Sequence, residues 1–294
     1  MAGIIDELKS NFKHGGPLIR LIYVTLGVFI ITRIVYLILS LSMSLGLYPF
    51  DRWFVLPANF SLFIYKPWTI ITYIFYHEKL MHVAFNLLML YWFGKLFNSL
   101  IGEKKLLAVF LLGGIFGGLL NLLTNSLPYF SNVIPGGGLL GASAGVMAII
   151  IAATLYAPNM RVMLFLFGEV KLIYIGLLSV LIDVLMLTSP DSVGHVAHIG
   201  GALFGYIWVL QYKQGNDIAS WFGKLLFSIQ NLLKPGPKLR VASNRAASDM
   251  DYNKKKADNQ KEIDRILDKI SKGGYESLSK DEKETLFKMG DKNR

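Results

Sequence analysis

Gly194-His195-Val196-Ala197-His198-Ile199-Gly200-Gly201-Ala202-Leu203-Phe204-Gly205 opens an apolar run that continues to about residue 212. A run of this kind approaches the ~20 residues a helix needs to cross hydrocarbon. Imidazole is costly to bury there without a partner, so a histidine inside such a run is a candidate for function. His198, Gly201 and Gly205 stand at i, i+3 and i+7, on one helix face. The glycines allow a neighbouring helix to approach closely, and His198 is carried into that contact. His195 lies one turn earlier, nearer the outer surface, and reads as a loop or rim residue.

Working outward, similar runs fill two thirds of the chain, at roughly 18–45, 70–97, 105–124, 139–157 and 170–188. The 294 residues are 53% hydrophobic and 17% charged, against about 25% charged in an average soluble domain. The expectation is an all-α, polytopic membrane protein: six transmembrane helices over 18–212, preceded by a cytoplasmic segment at 1–17. The first 20 residues carry Asp6, Glu7, Lys9 and Lys13 with no apolar core before them, so no cleavable signal is expected. Lys9, Lys13, Arg20, Lys95, Lys104, Lys105, Arg161 and Lys171 flank alternate connections, whereas the opposite loops hold only Arg52 and Lys66. The positive-inside rule then puts both termini in the cytoplasm, most simply of a bacterial cytoplasmic membrane.

The absence of cysteine excludes disulfides and thiolate metal sites. The net charge of +10 sits in tails and short loops. No basic patch is interleaved with aromatics on a foldable surface, which argues against nucleic acid as a partner. The loop 46–67, with Pro49, Trp53 and Pro57, suits the outer interface. The short apolar segment Val162–Phe167 reads as a loop dipping into the interface. Past the last span, 213–260 reads as an amphipathic helix (217–233), a break at Pro235-Gly236-Pro237 and a basic, disordered stretch over 238–260. Residues 261–294 read as a small helical hairpin, with Gly273-Gly274 at its turn and Ser279/Glu282 as a capping box.

Two other spans carry chemistry. In span two, His82 and Asn86 are i, i+4 on one face, with His77 one turn and a half earlier. Two such donors aimed at one point would suit a developing oxyanion; they would equally serve as glue between helices. In span four, Gly136-Gly137-Gly138 precedes Gly141-Ala142-Ser143-Ala144-Gly145. That places Ser143 in the first turn of a helix, among free backbone N–H groups. The same small residues would also make a packing surface. If spans four and six pack together, His198 could take the Ser143 proton and pass it to a leaving amine. No carboxylate holds an obvious orienting position; Asp183 in span five is a candidate, but reads first as a structural hydrogen-bonding group. A dyad is expected rather than a triad. Metal is the rival chemistry, but the His-Glu-x-x-His pattern is absent, so no metal and no other cofactor are expected.

Taken together, His77/His82/Asn86, Gly141-Ala142-Ser143-Ala144 and Ala197-His198-Ile199-Gly200-Gly201-Ala202-Leu203-Phe204-Gly205 resemble the rhomboid family of intramembrane serine proteases, over roughly 46–212. The resemblance implies Ser143 as nucleophile and His198 as general base and acid. It implies an oxyanion hole of His82, Asn86 and the Ser143 backbone N–H. His77, Gly141, Gly201, Gly205 and Asp183 would play supporting parts. The implied substrate is a single-pass membrane protein cut near the outer end of its helix, and the lipid bilayer is the implied surround. Three features depart from the family pattern. Trp68 is followed by Thr69 in place of arginine, which bears on how the 46–67 loop is anchored; Ala144 stands where glycine is commoner; and Met147 stands where an aromatic ring usually stacks on the catalytic histidine. A different class of reading is a catalytically silent relative that binds transmembrane clients. A transporter is disfavoured because the halves show no repeat.

Overall fold

The computed structural model describes residues 3–42, 48–127, 138–164, 168–189, 192–233 and 243–290. Gly136, Gly137 and Pro235-Gly236-Pro237 therefore lie outside the described residues, as do the ends of spans one and of the Val162–Phe167 segment. The chain divides into two compact units, Met1–Leu232 and Leu233–Arg294.

In the first unit a short helix, α1 (Ile4–His14), leads into α2 (Gly16–Ser42). The Arg20 guanidinium caps the end of α1 by donating to the carbonyls of Phe12 and Lys13. Two short helices follow, α3 (Tyr48–Asp51) and α4 (Phe60–Ile64). Next come α5 (Thr69–Phe75), α6 (Leu80–Leu100), α7 (Glu103–Ser126) and α8 (Ser143–Tyr156). A two-stranded antiparallel hairpin, β1 (Arg161–Leu164) and β2 (Gly168–Lys171), separates α8 from α9 (Leu172–Leu185). The unit ends with α10 (Ser192–Lys213) and α11 (Ser220–Leu233).

Four of these helices, α2, α6, α7 and α10, are long and apolar enough to cross a membrane. α8 and α9 are apolar but only 14 residues each, about 21 Å at the α-helical rise, short of the ~30 Å hydrocarbon layer. For α8 the shortness has a physical reason. Every residue from Ala144 to Thr154 is buried, so this helix is solvated by protein rather than lipid.

Small residues create that enclosure. A Cβ on Gly113 would sit 2.3 Å from Ala148 Cβ, and one on Gly117 2.5 Å from the Ala197 carbonyl oxygen. A Cβ on Gly205 would sit 2.4 Å from the Ala148 carbonyl oxygen, and one on Gly201 2.0 Å from that of Ala144. α7, α8 and α10 thus meet backbone to backbone, and van der Waals contact drives the packing.

Three expectations need correction. Span two is not one helix. It breaks between Phe75 and Leu80, where Tyr76 and Lys79 take extended conformations. Side chains stabilise the break. The Tyr76 ring stacks on Phe54, and its hydroxyl joins Asp51 and Arg33. The segment 161–171 is a hairpin, not a plain dipping loop, with Val162 opposite Val170. Finally, the stretch expected to be disordered is helical from Ser243 onward, in α12 (Ser243–Gly273). Lys254, Lys255, Lys256, Ala257 and Gln260 are favourable helix formers, and the same helix runs on into the expected helical segment, where Gln260–Asp264 and Lys272–Asp268 bond one turn apart.

In the second unit α12 turns through Gly273-Gly274 into a 3₁₀ turn and then α13 (Lys280–Gly290). Both bonds of the capping box are present. The Ser279 N–H donates to Glu282 at 2.8 Å, and the Glu282 N–H to Ser279 Oγ at 3.3 Å. Lys269 on the preceding helix donates to the same carboxylate at 2.7 Å, and Ile266 and Leu278 are buried in this unit. Lys269, then the Ser279 N–H, hold the Glu282 carboxyl well below its ordinary range, at about 2.

Candidate active site

The loop before α8 is built by three neighbours. Leu139 exchanges both backbone hydrogen bonds with Leu56, at 2.8 and 3.0 Å. The Gly141 N–H donates to the Tyr73 carbonyl at 2.9 Å, and the Ala142 N–H donates to His77 Nε2 at 3.3 Å. Gly141 has φ +111°, and a Cβ there would lie 2.8 Å from His82 Cε1 and 2.9 Å from Nε2. Only glycine combines that backbone with so close an imidazole. The turn delivers Ser143 as the first residue of α8, in the turn whose N–H groups have no intrahelical acceptor.

His77 and His82 stand edge to face, with ring centroids 5.1 Å apart. His77 is wholly buried. Its Nδ1–H donates to the Phe75 carbonyl at 3.2 Å, which leaves Nε2 as the acceptor for the Ala142 N–H. His77 is thereby a backbone clamp for the serine loop. Asn86, also buried, donates one amide N–H to the His82 carbonyl at 3.0 Å. An amide carries two N–H donors, and among the described residues no hydrogen bond engages the second.

On the other side, the Asp183 carboxylate in α9 is buried. Its Oδ1 accepts from His198 Nδ1 at 2.8 Å and from His195 Nδ1 at 2.7 Å. This corrects two expectations. The candidate carboxylate Asp183 does stand beside His198, so the expected dyad has an orienting group. His195 is not in a loop but in the first turn of α10, where it shares that carboxylate. The spacing hid the contact because Asp183 and His198 belong to different helices, joined by a turn whose path the sequence does not give. The pairing follows from charge. A buried carboxylate requires donors, and imidazole N–H groups are within its reach.

Gly201 lies one turn below His198 and touches the Ala144 carbonyl, next to Ser143. The structure therefore brings α8 and α10 together at the level of the expected nucleophile. Among the described residues no hydrogen bond joins Ser143 to another side chain.

The loop over 48–67 is anchored without the family's arginine. Trp68 stacks on Trp53 at 5.7 Å and donates to its carbonyl at 3.0 Å. Thr72 donates to the Phe54 carbonyl at 3.0 Å. Arg33 in α2 pairs with Asp51 at 3.6 Å and with the Tyr76 hydroxyl, one residue before His77. Arg33 carries a signal legible in the sequence, an ionisable residue inside an apolar run.

At the opposite end of the bundle Asp217 binds Lys105 and, at 3.0 Å, Trp208 Nε1. Burial would raise the Asp217 carboxyl, but the hydrogen bonds from Lys105 and Trp208 outweigh it and hold it below the ordinary range. Lys213 donates to the Leu155 carbonyl at 2.8 Å, a cation at the C-terminal end of α8.

Residues 65–214 match the family model described as the rhomboid domain. The chain belongs to the rhomboid family. It is 28% identical over 217 residues to Rhomboid-like protease 3 of Toxoplasma gondii, covering 69% of this chain and 74% of that one. It is 30% identical over 145 residues to the mitochondrial presenilin-associated rhomboid-like protein of Mus musculus, covering 47% of this chain and 36% of that one. To the Rhomboid protease GlpG of Yersinia pestis (strain Pestoides F) it is 23% identical over 200 residues, covering 68% and 64%. The chain thus spans about a third of the length of its presenilin-associated relative. Residues 248–289, within α12 and α13, match a family of unknown function, DUF6576.

Proposed function

We propose that the protein is an intramembrane serine endopeptidase that hydrolyses a peptide bond in or near the transmembrane helix of single-pass membrane proteins. The hydrogen bond from His198 Nδ1–H to the buried Asp183 carboxylate carries this reading. It fixes the tautomer, leaving the Nε2 lone pair as the base. His198 Nε2 takes the Ser143 proton as Oγ attacks the scissile carbonyl. The resulting imidazolium is stabilised by Asp183, and the proton passes to the departing amine nitrogen. Water then attacks the acyl-serine with His198 again as base. The developing oxyanion is met by the Ser143 N–H, the second Asn86 N–H and His82, donors set in a site with little water.

The arrangement of charge supports six spans with both termini cytoplasmic; a bacterial cytoplasmic membrane is the simplest setting for it. Lys105 and Lys213 meet the bundle at the end where α8 finishes, and Ser143, His77 and the head of α10 stand at the other. The chemistry would then lie below the outer surface, reached by a substrate helix from the bilayer. A peptide bond inside a helix must unwind before attack, so substrates with helix-weakening residues near the cut are expected. The test is cleavage of a single-pass test protein in proteoliposomes. Wild type should produce two fragments and Ser143→Ala none; equal cleavage by both would refute the proposal.

One observation favours a second reading. The Ser143 hydroxyl makes no hydrogen bond to His198 among the described residues, and a catalytically silent client binder would need none. Labelling by a fluorophosphonate separates the two, since a silent protein has no activated serine to modify.

A further inference from the structure

We propose that Asp183, His195 and His198 form an inhibitory binding site for a borderline divalent cation, of which zinc is the natural occupant. The inference rests on the reading of His198 as the base. No metal-binding motif marks these residues in the sequence, because the three ligands are split between α9 and α10. The fold unites them. Their ligand atoms all lie within 4.8 Å of one another, and both imidazoles converge on one carboxylate oxygen at 2.7 and 2.8 Å. The Asp183 side chain is 6% exposed, while those of His195 and His198 are 21% and 23% exposed. The cluster is therefore held from below and open enough at the head of α10 for an ion to enter. Two neutral imidazoles and one carboxylate form the donor set that suits zinc, cobalt or copper rather than calcium or magnesium. Three protein ligands leave further positions for water.

A second, chemical argument gives the site its consequence. Without metal, each Nδ1 carries the proton donated to Asp183. Coordination through Nδ1 needs its lone pair, so each ring must move that proton to Nε2. No proton is lost; the tautomer changes. His198 Nε2–H is then a donor and no longer accepts the Ser143 proton. His195 has no other part in the proposed mechanism. Its place beside Asp183 is what turns a base-and-carboxylate pair into a three-ligand site.

The test uses full-length protein in detergent, with the purification tag removed. Co²⁺ titrated into Ser143→Ala should develop a visible absorption spectrum of nitrogen and oxygen coordination, displaced by Zn²⁺. His195→Ala in that background should weaken Co²⁺ binding at least tenfold. Zn²⁺ should also raise the melting temperature of wild type but not of His195→Ala. In the cleavage assay micromolar Zn²⁺ should stop wild type, while His195→Ala cleaves with or without it. Binding without cleavage would leave the metal site standing and overturn the protease reading. A Co²⁺ spectrum and zinc-induced melting shift unchanged by His195→Ala would overturn the site. If that variant misfolds, His195→Gln serves, because it keeps a hydrogen-bond donor toward Asp183 without an imidazole ligand.

Discussion

Gly201→Ala is the most incisive single perturbation. The added Cβ would lie 2.0 Å from the Ala144 carbonyl oxygen, 2.7 Å from its carbon and 3.1 Å from its Cα. All three are backbone atoms of a buried helix, so no side chain can turn aside. A carbon and an oxygen tolerate about 3.3 Å, so α8 and α10 must part locally by roughly 1.3 Å. Overpacking of this kind costs ~1–3 kcal/mol of stability. The larger effect falls on chemistry. Ser143 precedes Ala144 and His198 lies one turn above Gly201, so the separation opens the gap a proton must cross. A misplacement of ~1 Å costs about 10²-fold in rate. The assay is cleavage of a single-pass substrate under saturating conditions, with melting temperature measured in parallel. Gly27→Ala in α2 is the control, because nothing lies within 4 Å of the position a Cβ would take there; it should keep full activity. Wild-type cleavage by folded Gly201→Ala would show that the glycine contact does not set the catalytic distance.

Other substitutions separate the parts of the site. Asn86→Ala should lower kcat by roughly 10²–10³ with little change in KM; a change confined to KM would assign Asn86 to packing. Asp183→Asn should lower kcat by roughly 10²-fold or more, because an amide presents a donor as well as an acceptor and no longer fixes the His198 tautomer. Unchanged turnover in that variant would return His198 to an unaided dyad. In the second unit, Glu282 has a depressed folded-state pKa, so its stabilising contribution is present above about 4.5 and lost as pH falls toward about 2. Glu282→Gln should therefore speed hydrogen exchange over residues 261–290 at pH 6, and differ little from wild type at pH 2; a difference persisting at pH 2 would contradict the assignment.

Much of the site was readable because its motifs are local. His82 and Asn86 share a face by helical period, Ser143 follows a glycine that only a turn requires, and Gly201 and Gly205 project His198 toward a neighbour. What the sequence concealed was non-local. The Asp183 carboxylate reaches His195 and His198 across a turn, and Arg33 meets Tyr76 and Asp51 from another helix. Periodicity carries no information about such pairs. The break at Tyr76–Lys79 was hidden for a related reason. Hydropathy averages over a window and sees one apolar stretch, whereas the hydrogen bonds of a tyrosine and a histidine decide where the helix stops. Over 243–260 the polar composition was compatible with disorder, and local helix propensity together with continuation into the following helical segment favoured a helix instead.

The central claim is that the His198 imidazole, oriented by Asp183, activates the Ser143 hydroxyl. Intact-protein mass spectrometry after exposure to a fluorophosphonate tests it directly. The account predicts one adduct, mapped to Ser143, in folded wild type, and none in His198→Ala. A wild type that remains unmodified, or a His198→Ala protein modified at Ser143 at the wild-type rate, would contradict it.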